Sequence, residues 1–163
     1  TVGQLLITKS DVENDERRTN LVNTFNKLFE FGAIPIINEN DSVAVEEIVY
    51  GDNDSLSAIV AKLVNADALI ILSDIDGLYD ANPNENEDAK LIPVVTEINE
   101  ELYAIAGGKG STLGTGGMVT KLHAAEITMG AGIDTIVMNG ENPTEIYKAL
   151  DGKQVGTFLK GKE

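Results

Sequence analysis

Ala68-Leu69-Ile70-Ile71-Leu72 narrows what this chain can become more than any other stretch. Its near-continuous apolar character is that of a strand covered on both faces, the usual condition of strands in parallel sheets. A parallel neighbour must be reached by a crossover, so helices should alternate with strands on either side of this run.

They do. Residues 2–8 read as a strand, and 15–31 carry Leu21, Val22, Phe25, Leu28 and Phe29 at helical spacing, with Gly32 placed to end the helix. Residues 33–37 read as a buried strand, and 42–50 have the β-branched and acidic mixture of a hairpin or edge excursion. A helix starts near Asp52-Asn53-Asp54, any of which can cap it, and runs through Leu63. After the central strand come a short helix at 99–106, a glycine-rich loop at 107–117 and a helix at 118–129. A strand at 133–138, a helix at 143–150 and a strand at 155–159 complete the pattern. No repeat is visible, and the polar 81–88 segment reads as a surface loop. The fold expected is α/β, a three-layer α/β/α sandwich around a mostly parallel sheet, in one domain of 163 residues.

Composition excludes several function classes. A formal charge of −15 argues against a nucleic-acid or anionic-membrane partner. With no cysteine, disulfides and thiolate chemistry are out. No run of about 18 apolar residues suggests a membrane span, and cytoplasm is the default location. The chain starts with Thr1 and enters a strand with no preceding turn, which reads as a piece of something longer.

Ligands of open α/β sheets sit outside the carboxyl ends of the strands. Three strand ends here are polar: Asn38-Glu39-Asn40-Asp41, Ser73-Asp74-Ile75-Asp76-Gly77 and Asn139-Gly140. The first, followed by Gly51-Asp52-Asn53-Asp54 at a helix start, offers carboxylates and amides for an ammonium group and helix N–H groups for an anion. Turn and cap duty is the ordinary alternative. In the second, an EF-hand register would put Leu72 at position 1, so a calcium loop fails. What remains is a strand end able to meet a nucleotide, or a plain turn with Gly77 at positive φ. Gly107 to Lys121 is neither a Walker A loop nor G-x-G-x-x-G. Its glycines and Lys121 one turn into the next helix suit phosphate, against the alternative of a surface loop. His123 has no nucleophile pattern around it and reads as a surface or packing residue.

Three stretches together, Ile36 to Val43, Gly51 to Ala58 and Gly114 to Lys121, resemble the signature segments of the glutamate 5-kinases within the amino-acid kinase family, in order and spacing. Asp74 to Tyr79 and Gly3 to Leu6 are similar too, and the resemblance covers essentially the whole chain. It implies phosphorylation of the L-glutamate side-chain carboxylate from ATP with Mg2+, the first step of proline biosynthesis, by a homo-oligomer. It places Asp41 and Asn53 on glutamate, Ser73 and Asp74 in the nucleotide site, and Thr115, Gly116, Gly117, Met118, Val119, Thr120 and Lys121 along the ATP phosphates. Lys121 would stabilise the transferring phosphoryl group, with Asp54 orienting catalytic lysines, and no protein-only metal site is implied. The family's opening segment, a strand with a lysine and a Gly/Ser phosphate loop, has no counterpart here, nor has the C-terminal PUA domain of many members. Residues 1–163 are thus expected to be a partial domain, inactive alone. Acetylglutamate or carbamate kinases, a non-catalytic amino-acid-binding module and an acidic divalent-metal-binding domain are the alternatives.

Overall fold

A computed structural model describes residues 1–44, 52–83, 85–107 and 117–162. Strand β1 (Val2–Ile7) leads into helices α1 (Lys9–Glu13) and α2 (Asp15–Glu30), strand β2 (Ile34–Glu39) and helix α3 (Asn53–Leu63). Strands β3 (Ala68–Ser73) and β4 (Val94–Val95) are followed by helices α4 (Glu100–Gly107) and α5 (Met118–Gly130). Strand β5 (Asp134–Asn139), helix α6 (Glu145–Leu150) and strand β6 (Thr157–Leu159) end the order. The 45–50 part of the expected hairpin and the 108–116 part of the glycine-rich loop lie outside the described residues.

Two elements were not anticipated. In α1, the Thr8 N–H and hydroxyl both donate to Asp11 Oδ2, at 2.8 and 2.7 Å, which turns a polar five-residue stretch into a helix. Strand β4 has only two residues and exists by pairing with β6.

The α/β class and mostly parallel strands are as expected: β1 with β2, β3 with β5 and β4 with β6 are parallel, and only β5 with β6 is antiparallel. The strands form two sheets, β1-β2 and β3-β5-β6-β4. Beneath α3, a cavity of about 470 Å3 lies between Ile37 of β2 and Leu69 of β3. The outward face of β1 and β2 leaves Val2, Leu6, Ile34 and Ile36 exposed, although parallel strands are normally covered on both faces.

Helix α3 joins the two parts. Leu56 packs with Ile7, Leu21 and Phe25 in the smaller core, while Ala58 belongs to the larger one with Ile71, Leu122, Ala124, Ala125 and Val137. Ala58, Ala124 and Ala125 are fully buried, and these short side chains let α3 and α5 approach closely. Thr128 of α5 shares a 2.5 Å hydrogen bond with Thr135 of β5, so the helix is tied to its strand through a satisfied polar pair in the core.

Short connections set the direction of each helix. Only residues 64–67 separate α3 from β3, and 131–133 separate α5 from β5. Asn65 (φ 49°) and Gly132 (φ 76°) supply the left-handed residue that reverses the chain after each helix. Each helix therefore runs back along its following strand, and its N-terminus stands at that strand's carboxyl end. No helix among the described residues is long and apolar enough to cross a membrane.

The start of α3 depends on Asp52, whose carboxylate accepts the Ser55 N–H (2.7 Å) and hydroxyl (3.0 Å). Asp52→Ala should cost about 1 kcal/mol, lowering Tm by roughly 2–4 °C in a thermal melt. An unchanged midpoint would show that the cap does not hold this helix.

Candidate active site

The carboxyl edge gathers residues from distant parts of the chain. Asp54 occupies the first turn of α3, and Thr120 and Lys121 lie in the first turns of α5. The Lys121 ammonium donates to Asp54 Oδ2 at 3.0 Å, and the Thr120 hydroxyl lies 2.7 Å from the same oxygen. That hydroxyl is shared with the Gly117 carbonyl, also at 2.7 Å. The two charged side chains are 9% and 17% exposed, so the pair is shielded from water.

Each partner relieves a difficulty of the other. An ammonium near a helix N-terminus opposes the helix dipole, and burial deepens the cost. Helix α5 has no acidic residue in its own first turn. Asp54, itself favourably placed at the start of α3, supplies that charge from across the α3–α5 contact. The result is a fixed ammonium next to the opening N–H groups of α5, a combination suited to holding phosphate oxygens.

Ser73 ends β3, half-buried, and its hydroxyl donates to Asp74 Oδ1 at 3.1 Å. Gly77 follows at φ 154°, the positive-φ position expected of it. A Cβ there would come within 2.7 Å of Thr157 Oγ1, so the turn needs glycine both for its backbone angle and for its contact with β6. Met118 packs partly into the larger core, and Val119 is exposed. Gly117 is the N-cap of α5. Thr115 and Gly116 lie outside the described residues.

On the other side, Asn53 opens α3 and lines the cavity shared with Ile37. Asp41 is exposed in the turn after β2, where the Ser42 hydroxyl donates to Asn40 Oδ1 at 2.7 Å and the Asn40 N–H to the Ile7 carbonyl at 2.8 Å. The structure thus joins Asp54 to Thr120 and Lys121, and Ser73 to Asp74, and among the described residues no direct bond links Asp41 or Asn53 to either group. His123 is exposed near Glu126, in keeping with a surface role.

One feature of this edge escaped the sequence reading. Asn139, recognisable only as a polar strand end, donates to Asp76 at 2.9 Å and so links the third strand end to the second.

The profile of the amino acid kinase family matches residues 1–139, and the chain belongs to that family. Among curated relatives, the glutamate 5-kinase of Clostridium perfringens is 52% identical over 166 residues, covering 99% of this chain and 62% of its own length. That of Clostridium acetobutylicum is 55% identical over 158 residues, covering 97% and 59% respectively. The chain therefore spans about three-fifths of the length of these relatives. Solved structures share the fold at low identity. An isopentenyl phosphate kinase substrate complex superposes with TM-score 0.62 at 18% identity, covering 98% of this chain and 60% of that one. The UMP kinase of Bacillus anthracis gives 0.59 at 19%, covering 90% and 52%.

Removing one member of the shielded pair leaves an uncompensated charge. Asp54→Asn should destabilise the chain by about 3 kcal/mol in urea unfolding. Adding Lys121→Met to it should cost much less than the sum of the single changes, with a coupling of about 1 kcal/mol or more. Additive costs would show that the pair is not coupled.

Proposed function

We propose that this chain is the glutamate-binding part and half of the ATP site of a glutamate 5-kinase, which moves the γ-phosphoryl group of ATP onto the side-chain carboxylate of L-glutamate. The observation that carries the reading is the Asp54–Lys121 contact, which joins the Gly-Asp-Asn-Asp and Gly-Gly-Met-Val-Thr-Lys segments at the edge where α/β sheets take ligands. The similarity to glutamate 5-kinases over nearly the whole chain supports the same assignment.

A carboxylate is already a nucleophile at neutral pH, so the protein needs no general base. Its task is to bring two anions together and offset their repulsion. On this reading, the N–H groups at the start of α5 and the Lys121 ammonium receive the phosphate oxygens, while Asp54 keeps that ammonium in place. Ser73 and Asp74 sit against the nucleoside. Asp41 accepts from the glutamate ammonium and Asn53 orients its carboxylates. Preference for free glutamate over acetylglutamate or carbamate then rests on Asp41, since acetylation removes the cation that a carboxylate attracts. Mg2+ arrives with ATP and screens its phosphates. The fit is local: net charge of −15 opposes anions at a distance, but screening over about 8 Å leaves nearby groups dominant. A cytoplasmic homo-oligomer acting in proline biosynthesis belongs to the same proposal.

The gap between β2 and β3 bears on turnover. A strand seated in the cavity beneath α3 would unite the two sheets and bring a second phosphate-binding loop beside Lys121, and among the described residues no strand fills it. We therefore expect binding without catalysis. Calorimetry should detect L-glutamate and Mg-ATP, while an ADP-release assay with both should stay at background. Normal turnover would overturn the partial-domain reading. Binding of calcium alone, with neither substrate bound, would overturn the kinase reading, and acetylglutamate binding in preference to glutamate would move it to another member of the fold.

A further inference from the structure

We infer that Asn139 is a positioning residue for the nucleotide site, acting through Asp76. The inference rests on the reading above that Ser73 and Asp74 face the nucleotide, and it concerns what keeps them there.

Asn139 ends β5 and stands directly opposite Ser73 of β3 in the parallel pair. Just beyond, the Gly140 N–H donates to the Ser73 carbonyl at 2.8 Å, and a Cβ on Gly140 would come within 3.0 Å of Leu72 Cβ. The two strand ends are therefore in close contact. Asn139 uses both ends of its amide there. Its Oδ1 accepts the Glu141 N–H at 2.8 Å, and its Nδ2 donates to Asp76 Oδ1 at 2.9 Å. The orientation is dictated by the partners: a backbone N–H can only donate, and an ionised carboxylate can only accept. Asp76 Oδ2 receives the Tyr79 hydroxyl at 3.2 Å. The tyrosine hydroxyl is protonated at neutral pH and so donates here; burial, with Asp76 adding to it, raises its pKa further.

Asp76 is three residues beyond Ser73 in the turn that presents Ser73 and Asp74. That turn is held from one side by Thr157, whose hydroxyl accepts the Leu78 N–H at 2.9 Å, and from the other by Asn139. Asp76 and its two donors lie at the exposed edge, where hydrogen bonds add little to overall stability. Their effect is on where the turn sits. A neutral amide is required at 139, because a carboxylate would face that of Asp76 across about 3 Å and push the turn away.

The test is a swap. Asn139→Asp removes the donor and creates the repulsion. Combining it with Asp76→Asn restores the bond in reverse, since Asn at 76 donates to Asp at 139, which still accepts from Glu141, while Tyr79 donates to the new amide oxygen. The net charge returns to that of the unaltered chain. In calorimetry, Asn139→Asp should weaken Mg-ATP binding about tenfold, the size of effect expected from opposing charges at this range. The double variant should bind as the unaltered chain does and recover its Tm, with L-glutamate affinity unmoved throughout. Nucleotide binding unchanged in Asn139→Asp, or a double variant that binds as weakly as a weakened Asn139→Asp, would overturn the inference. Should Asn139→Asp fail to fold, the double variant alone decides, since weakened Mg-ATP binding by a folded swap would refute the role. Absence of Mg-ATP binding by the unaltered chain would instead remove the nucleotide reading, and this inference with it.

Discussion

The carboxylate of Asp54 is the point on which this structure turns. Lys121 is almost buried one turn into a helix whose own first turn offers it no negative charge, and such a placement is costly unless another element supplies a counterion. Asp54 does so from the neighbouring helix, and it also accepts from Thr120. The contact is available because Ala58 of α3 and Ala124 and Ala125 of α5 are fully buried in one core, where larger side chains would hold the helices apart. Packing and electrostatics thus fix the same arrangement. Small residues set the separation, and the ion pair sets which ends of the helices coincide.

From this arrangement the chemistry of the edge follows. Short connections force α3 and α5 to run back along β3 and β5, so helix N-termini and strand carboxyl ends collect on one side of the sheet. That side combines partial positive charge from the helix N-termini, one held ammonium, and the polar strand ends Ser73 and Asn139. A strongly acidic protein can accept an anionic ligand under these conditions, because screening over about 8 Å leaves the groups nearest the ligand dominant.

Much of this was legible in the sequence because it depends on local pattern. The apolar run of β3, the spacing of Leu21 and Phe25 in α2 and the Asp52 cap of α3 each follow from neighbouring residues, and the elements appear within a residue or two of their expected bounds. Most of what escaped depends on partners distant in the chain, and one short helix depends on a local polar bond that no apolar pattern announces. β4 has two residues and is a strand only because β6 lies beside it. α1 is polar and short, and rests on the bonds between Thr8 and Asp11. The separation of the strands into two sheets is a property of edges, to which no local pattern refers. Asp54 and Lys121 are 67 positions apart, and the expectation that they meet came from resemblance to a family rather than from their spacing.

Helix α3 carries an unusual double duty that ties function to stability. Its first turn presents Asn53 and Asp54 to the edge, while its body is the seam between two hydrophobic cores, with Leu56 in one and Ala58 in the other. Were the helix anchored to only one core, the cavity between β2 and β3 would leave the other sheet free to shift relative to the ion pair. Anchored in both, it transmits the position of β1 and β2, and hence of the turn bearing Asp41, to the first turns of α5. A substitution such as Leu56→Ala would then act in two places: it would open the smaller core, and it would loosen a helix that holds the Asp41 and Lys121 sides of the edge in a common frame.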